Sequence, residues 1–133
     1  MILVDTNVLL DLVTDDPNWA RWSQQQLDHA AARDELAINE IVYAELSIGY
    51  ERIEELDLMI DSAGLVIATM PRPALFLAGK AFQRYRSAGG RKTGVLPDFF
   101  IGSHAVIANA VLMTRDAARY RSYFPGVVLI APN

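Results

Sequence analysis

Cysteine is absent from this 133-residue chain, which excludes disulfide scaffolds, thiolate zinc sites and cysteine nucleophiles. Long hydrophobic runs are also absent. The longest nearly uncharged stretch, residues 99–113, is shorter than the ~20 residues of a spanning helix, and the apolar start ends at Asp5, short of a signal-peptide core of ~7–15 residues. Hydrophobic residues make up 52% of the chain and its net charge is only −4, which excludes disorder. The sequence therefore predicts a single cytoplasmic domain, residues 1–133, that does not contact a membrane.

Charge is distributed unevenly along the chain. Residues 1–79 contain fourteen acids and four bases, whereas residues 80–133 contain eight bases and two acids. An asymmetry of this kind predicts an anionic partner for the basic part, without identifying the anion.

Short apolar runs alternate with longer helical patterns along the whole chain. The predicted strands are 2–4, 36–38, 65–68, 111–113 and 127–130. The predicted helices are 7–13 (capped by Thr6), 16–33, 40–50, 51–63, 71–88 and 97–109. This alternation predicts an α/β fold with a parallel sheet of about five strands covered on both faces. In such sheets, ligands bind at the carboxyl ends of the strands where the strand order reverses.

Four carboxylates occupy positions where the local pattern favours apolar or neutral residues. Asp5 directly follows the first strand, and Asp116 comes just after the fourth. Glu45 lies on the apolar face of a helix, and Asp98 opens a helix that has no other formal charge. Buried carboxylates are costly, and four of them near one sheet edge would repel one another. A divalent cation removes both costs, and carboxylate oxygens are ligands that suit Mg²⁺ and Mn²⁺.

Each acid also has an ordinary structural interpretation. Asp5 and Asp98 suit helix caps, Asp116 suits a turn, and Glu45 could pair with an arginine. On this interpretation the domain is a non-catalytic binding module stabilised by a metal.

Two other chemistries fit the sequence less well. A phosphoacceptor receiver-like domain would need a second acid beside Asp5 and a lysine near the last strand, but the last lysine is Lys92. Histidine catalysis is disfavoured because His104 lies about 120° from Asp98 around their helix. His29, in the acidic half, fits a solvated position.

The motifs around the acids resemble, in order and spacing, those of the PIN-domain nucleases, and most of all the VapC-type toxins of bacterial toxin–antitoxin pairs. The motifs are Val-Asp-Thr-Asn at 4–7, Ala-Glu-Leu at 44–46, Leu-Pro-Asp-Phe-Phe-Ile-Gly-Ser-His-Ala at 96–105 and Leu-Met-Thr-Arg-Asp at 112–116. The resemblance implies a PIN-like three-layer α/β/α fold and a Mg²⁺- or Mn²⁺-dependent endoribonuclease. It also implies inhibition by a cognate antitoxin and a homodimer.

Matching the motifs position by position gives the expected site. The resemblance implies that the catalytic, metal-binding acids are Asp5, Glu45, Asp98 and Asp116. It places Asn7 and Thr114 in support of them. In the basic part of the chain, the predicted RNA-binding residues are Arg86, Arg91, Lys92 and Arg115. Trp19 and Trp22, one helical turn apart, suit either core packing or a groove for the antitoxin.

Overall fold

The computed structural model describes residues 1–91 and 95–133, which form five strands and seven helices. The strands are β1 (Ile2–Val4), β2 (Leu36–Ile38), β3 (Leu65–Ile67), β4 (Val111–Met113) and β5 (Leu129–Ile130). The helices are α1 (Thr6–Val13), α2 (Ala20–Ala31), α3 (Glu40–Ser47), α4 (Ile53–Ser62), α5 (Arg72–Ser87), α6 (Leu96–Ala108) and α7 (Ala118–Tyr123). None of the helices in these two stretches has the length and apolarity to cross a membrane.

The five strands form one parallel sheet in the order β3-β2-β1-β4-β5. The strand order therefore reverses between β1 and β4, where Val4 pairs with Met113. The next residue of each strand, Asp5 and Thr114, emerges at that reversal. This is the position at which sheets of this type bind ligands.

All residues of the central strands β1 and β2 are buried. Because successive side chains of a strand point to opposite faces, helices must cover both faces of the sheet. The three-layer α/β/α architecture expected from the sequence is thereby confirmed. At the sheet edge, β3 leaves Val66 and Ile67 exposed.

Two local predictions need correction, and one helix is missing from the predicted set. Helix α1 begins at Thr6 itself, so Asp5 and not Thr6 occupies the cap position. Helix α2 begins at Ala20, because the Asp16 carboxylate accepts hydrogen bonds from the Asn18 and Trp19 amides and holds a turn. Helix α7 was not predicted at all.

A glycine lets the chain after α7 pack closely on α6. A Cβ atom added to Gly102 would lie 2.4 Å from the ring of Phe124, closer than real contacts allow. Phe124 is buried and its ring lies edge-on to Phe99 of α6, 6.1 Å away. The close packing of this segment on α6 fixes α7 near the carboxyl ends of β1 and β4.

Candidate active site

Asp5 is a buried carboxylate held by neutral donors. Its Oδ2 atom accepts hydrogen bonds from Thr114 Oγ1 at 2.8 Å and Tyr120 Oη at 2.9 Å. The Asn7 amide nitrogen lies at 3.5 Å from the same oxygen. Asp5 occupies the cap position of α1, yet its side chain makes no capping hydrogen bond. The structural role proposed for Asp5 as a cap therefore does not apply.

The loop after β4 is tied to the start of α1. Thr114 Oγ1 accepts a hydrogen bond from the Asp116 amide at 3.1 Å, and Asn7 Oδ1 accepts one from the Arg115 amide at 3.1 Å. Thr114 is fully buried. Asn7 and Thr114 thus lie beside Asp5 and fix its orientation relative to the loop.

Asp98 lies in the first turn of α6 and does not cap the helix either. Its Oδ2 atom forms an ion pair with Nη1 of Arg119 on α7. The Arg119 guanidinium also lies over the ring of Tyr85, 5.6 Å from its centroid. Helix α7 therefore contacts both aspartates, through Tyr120 on Asp5 and Arg119 on Asp98.

The remaining two acids lie around this pair. Glu45, half-buried on α3, accepts a hydrogen bond from Thr6 Oγ1 at 2.6 Å, so its partner is a hydroxyl and not an arginine. Asp116 is exposed at the start of the segment leading to α7.

The charges of the four acids affect the pKa values of groups in the same site, namely Asp5, Asp98 and Tyr120. Burial, and secondarily the charge of Asp98, raises the pKa of Asp5 to about 6. Burial also raises the pKa of Asp98; Arg119 opposes this rise and Asp116 adds to it. The pKa of Tyr120 lies well above its usual value because of burial, and then because of Asp5, Asp98 and Glu45. Mutual repulsion among carboxylates is the condition that a cation relieves.

The donor set fits a hard divalent ion. The side-chain donors to Asp5 all reach Oδ2, and they are uncharged, so Asp5 brings an uncompensated negative charge to the site. Oxygen ligands of this type suit Mg²⁺ or Mn²⁺. Within residues 1–91 and 95–133, no three acidic or histidine side chains are already arranged to hold an ion. The fit therefore rests on the chemistry of the donors, and Arg119 occupies one oxygen of Asp98.

The predicted RNA-binding residues differ in their surroundings: Arg86 and Arg91 are exposed, whereas Arg115 forms an ion pair. Arg91 is exposed, and its amide donates to Tyr85 Oη at 3.2 Å, which places its backbone next to the ring beneath Arg119. Arg86 is exposed at the end of α5. Lys92 lies outside the described residues.

Arg115, by contrast, pairs with Asp11, which is not one of the four candidate acids. Its Nε and Nη2 atoms contact both carboxylate oxygens of Asp11, at 2.8 and 3.0 Å. Asp11 is only 2% exposed and also accepts from Ser23 Oγ at 3.0 Å. The guanidinium lies 5.4 Å from the centroid of a Trp19 ring. Arg115 thus fastens the loop after β4 to α1 and α2.

The other residues singled out by the sequence are two tryptophans and two histidines, of which three lie at least partly buried. Trp19 and Trp22 are half-buried and meet edge to face at 6.1 Å. His104 is buried, its Nδ1 lies 3.2 Å from Asn39 Nδ2, and burial lowers its pKa. His29 is exposed.

Sequence reasoning missed Tyr120 and Arg119 as site residues. Their helix is six residues long and lies outside the motifs at 4–7, 44–46, 96–105 and 112–116. Ala117, Tyr120 and Phe124 are buried and recur at helical spacing, which is the signal that could have revealed α7.

The fold and the site define a class of protein: a three-layer α/β domain with a cluster of acids where the strand order of a parallel sheet reverses. The PIN domain family matches residues 2–124, so the chain belongs to that family. Proteins of this family are generally nucleases that use divalent metals. No curated protein sequence matches the chain significantly.

Solved structures extend the similarity over the whole chain. VapBC2 from Rickettsia felis, bound to a DNA fragment from its promoter, matches with a TM-score of 0.75 and 24% identity over 100% of both chains. VapBC-1 from nontypeable Haemophilus influenzae matches with a TM-score of 0.73 and 20% identity over 98% of both chains. A toxin–antitoxin complex from Klebsiella pneumoniae matches with a TM-score of 0.70 and 25% identity over 96% of both chains.

Proposed function

We propose that this protein is a Mg²⁺- or Mn²⁺-dependent endoribonuclease, the toxin of a VapC-type toxin–antitoxin pair. The observation that carries the proposal is that neighbouring residues of α7, Arg119 and Tyr120, contact Asp98 and Asp5 at the strand-order reversal. In agreement with this placement, the charge of Asp98 raises the pKa of Asp5. An acid whose proton affinity is raised by the charge of a second acid favours a cation shared by the two.

In this proposal the residues have three roles: they bind the metal, orient Asp5 and bind RNA. Asp5 and Asp98 would hold the ion directly, and Glu45 and Asp116 would complete its surroundings. Thr114, Asn7 and Tyr120 keep Asp5 in one orientation by hydrogen bonds to Oδ2. A bound divalent ion supplies polarisation of the phosphate and a water of lowered pKa. Arg86, Arg91 and Lys92 would bind the RNA backbone through its phosphates.

An antitoxin partner is proposed because the matching structures are toxin–antitoxin complexes. The surface of this chain offers a groove of about 610 Å³ between α1, α2 and α4. Its apolar lining includes Leu12, Val13, Leu27, Tyr50 and Met59. An amphipathic helix of the antitoxin would fit such a groove. A homodimer remains part of the proposal.

Cleavage of RNA by the purified protein tests the enzymatic proposal. Single-stranded RNA should be cut with Mg²⁺ and left intact with EDTA, and Asp98→Asn should lower the rate at least ~100-fold. Asp61→Asn is the matched control, since Asp61 is an exposed acid on α4, and it should cut like the parent. Cleavage that survives EDTA or Asp98→Asn would contradict the proposal. Absence of cleavage together with metal-dependent stabilisation would favour the non-catalytic binding module.

A further inference from the structure

The ion pair of Arg119 and Asp98 lies at the surface of the site. The side chains of Arg119 and Asp98 are 30% and 32% exposed. An ion pair of this exposure contributes little to stability, because water and salt screen it. The guanidinium can therefore leave Asp98 without unfolding the domain.

The Arg119 guanidinium also contacts an aromatic ring, which can hold it when it leaves Asp98. Its central carbon lies 5.6 Å from the ring centroid of Tyr85, within the range of a cation–π interaction. Phe82 stacks on Tyr85 at 6.0 Å, and the Arg91 amide donates to the Tyr85 hydroxyl. A Cβ atom on Gly90 would meet the Tyr85 ring at 2.4 Å, so the glycine turn lies directly against it. Tyr85 is thus a fixed platform that can hold Arg119 independently of Asp98.

Arg119 and a divalent ion compete for the same carboxylate. Asp98 Oδ2 accepts a hydrogen bond from Arg119 Nη1, and two cations on one carboxylate repel each other strongly at short range. The neighbouring residue of α7, Tyr120, gives Asp5 a neutral donor instead, which a metal ion does not have to displace.

We infer that Arg119 is an internal counter-ion that occupies Asp98 in the metal-free protein and must leave it for the divalent ion to bind. The inference rests on the proposed function, which supplies the ion. Arg119 thereby sets the metal affinity of the site: it keeps the acids of the free protein partly neutralised, and metal binds only by displacing it.

Calorimetric titration of the intact protein with Mn²⁺, without RNA, tests this inference. Arg119→Met should bind Mn²⁺ about five- to tenfold more tightly than the parent, because the competing charge-assisted hydrogen bond is gone. Arg121→Met is the matched control, since Arg121 is an exposed arginine on the same helix. It removes the same charge and should change the affinity by less than about twofold.

Thermal unfolding provides a second readout that does not depend on activity. Arg119→Met should unfold at nearly the same temperature as the parent in EDTA, because the exposed ion pair contributes little to stability, and its unfolding temperature should rise more than that of the parent in excess Mn²⁺. Arg119→Gln, which keeps a donor but no charge, replaces Arg119→Met should the latter fail to fold.

The outcomes separate the inference from the proposed function. If the parent binds Mn²⁺ and Arg119→Met binds it no more tightly than Arg121→Met does, the counter-ion role of Arg119 is wrong and the metal site stands. If neither the parent nor the variants bind Mn²⁺, both are overturned. Tighter binding confined to the Arg119 variants supports the inference.

Discussion

The phenol of Tyr120 donates a hydrogen bond to Asp5 Oδ2 at 2.9 Å, joining residues 115 positions apart in the sequence. Tyr120 is 1% exposed, and its pKa lies well above the usual value, first because of burial and then because of the charge of Asp5. It therefore remains a protonated donor throughout the neutral pH range. The short helix α7 thus orients an acid that belongs to the far end of the chain.

Replacing Tyr120 by Phe keeps the ring and removes this donor. Since the hydrogen bond favours the ionised carboxylate, the pKa of Asp5 should rise further, and the acidic limb of the pH–rate profile should move up by about 0.5–1 pH unit. The free energy of unfolding should fall by about 1–2 kcal/mol. Tyr123→Phe is the control, because Tyr123 packs on Phe99 and Tyr85 of the same aromatic cluster. Identical pH profiles for the two variants would show that the phenol of Tyr120 does not act on Asp5.

The metal-free protein should lose stability as the pH rises. The pKa of Asp5 is about 6 in the folded state against an ordinary 3.8, so protonated Asp5 stabilises the fold fully below about pH 4. This contribution is lost as the pH rises through about 6, and a pKa change of this size corresponds to about 3 kcal/mol.

Urea unfolding in EDTA at about pH 5 and about pH 8 measures the effect. Asp5→Asn carries no titratable group there and should show a smaller loss of stability between the two pH values than the parent. Added Mg²⁺ at the higher pH should stabilise the parent and not the variant. Equal pH dependence in the parent and Asp5→Asn would refute the raised pKa of Asp5.

Arg115 should matter for stability and not for RNA binding. Arg115→Met leaves the buried Asp11 carboxylate without its bidentate partner, so the free energy of unfolding should fall by about 2–4 kcal/mol. Arg91→Met removes an exposed charge and should change stability by less than about 0.5 kcal/mol.

RNA affinity distinguishes the two arginines, measured in a cleavage-deficient Asp98→Asn background under conditions where every variant is folded. Arg91→Met should weaken RNA binding about three- to tenfold at moderate salt, whereas Arg115→Met should leave it nearly unchanged. A loss of RNA affinity in Arg115→Met with unaltered stability would restore the sequence-based assignment of Arg115 to RNA contact.

The sheet could be predicted because its strands are short apolar runs bounded by polar residues. Strands β1, β2 and β4 have the predicted limits, and β3 and β5 are shorter than predicted by one and two residues. The reversal of strand order, and hence the pairing of Asp5 with the loop at Thr114, depends on tertiary contacts that no local pattern encodes.

The site was harder to predict where its residues lie in weakly patterned segments. Asp11, like Glu45, is an acid within an apolar helix, so the same pattern marks both residues. Its partner Arg115 lies 104 positions away in the sequence, so the pattern does not reveal that Asp11 is part of an ion pair. In the sequence of helix α7, arginines at 119 and 121 alternate with the aromatic residues, so the apolar pattern of the helix is hard to recognise. Hydrogen bonds such as that of Tyr120 depend on how the apolar face packs, and packing is visible only in the folded chain.

The most direct test of the central claim is the position of a metal ion in crystals grown with Mn²⁺, located by its anomalous scattering. A shared metal site predicts a peak within coordination distance, about 2.0–2.3 Å, of oxygens from both Asp5 and Asp98, with the Arg119 guanidinium withdrawn from Asp98. A protein saturated with Mn²⁺ that shows no ion between these two aspartates, and in which Arg119 still pairs with Asp98, would contradict it.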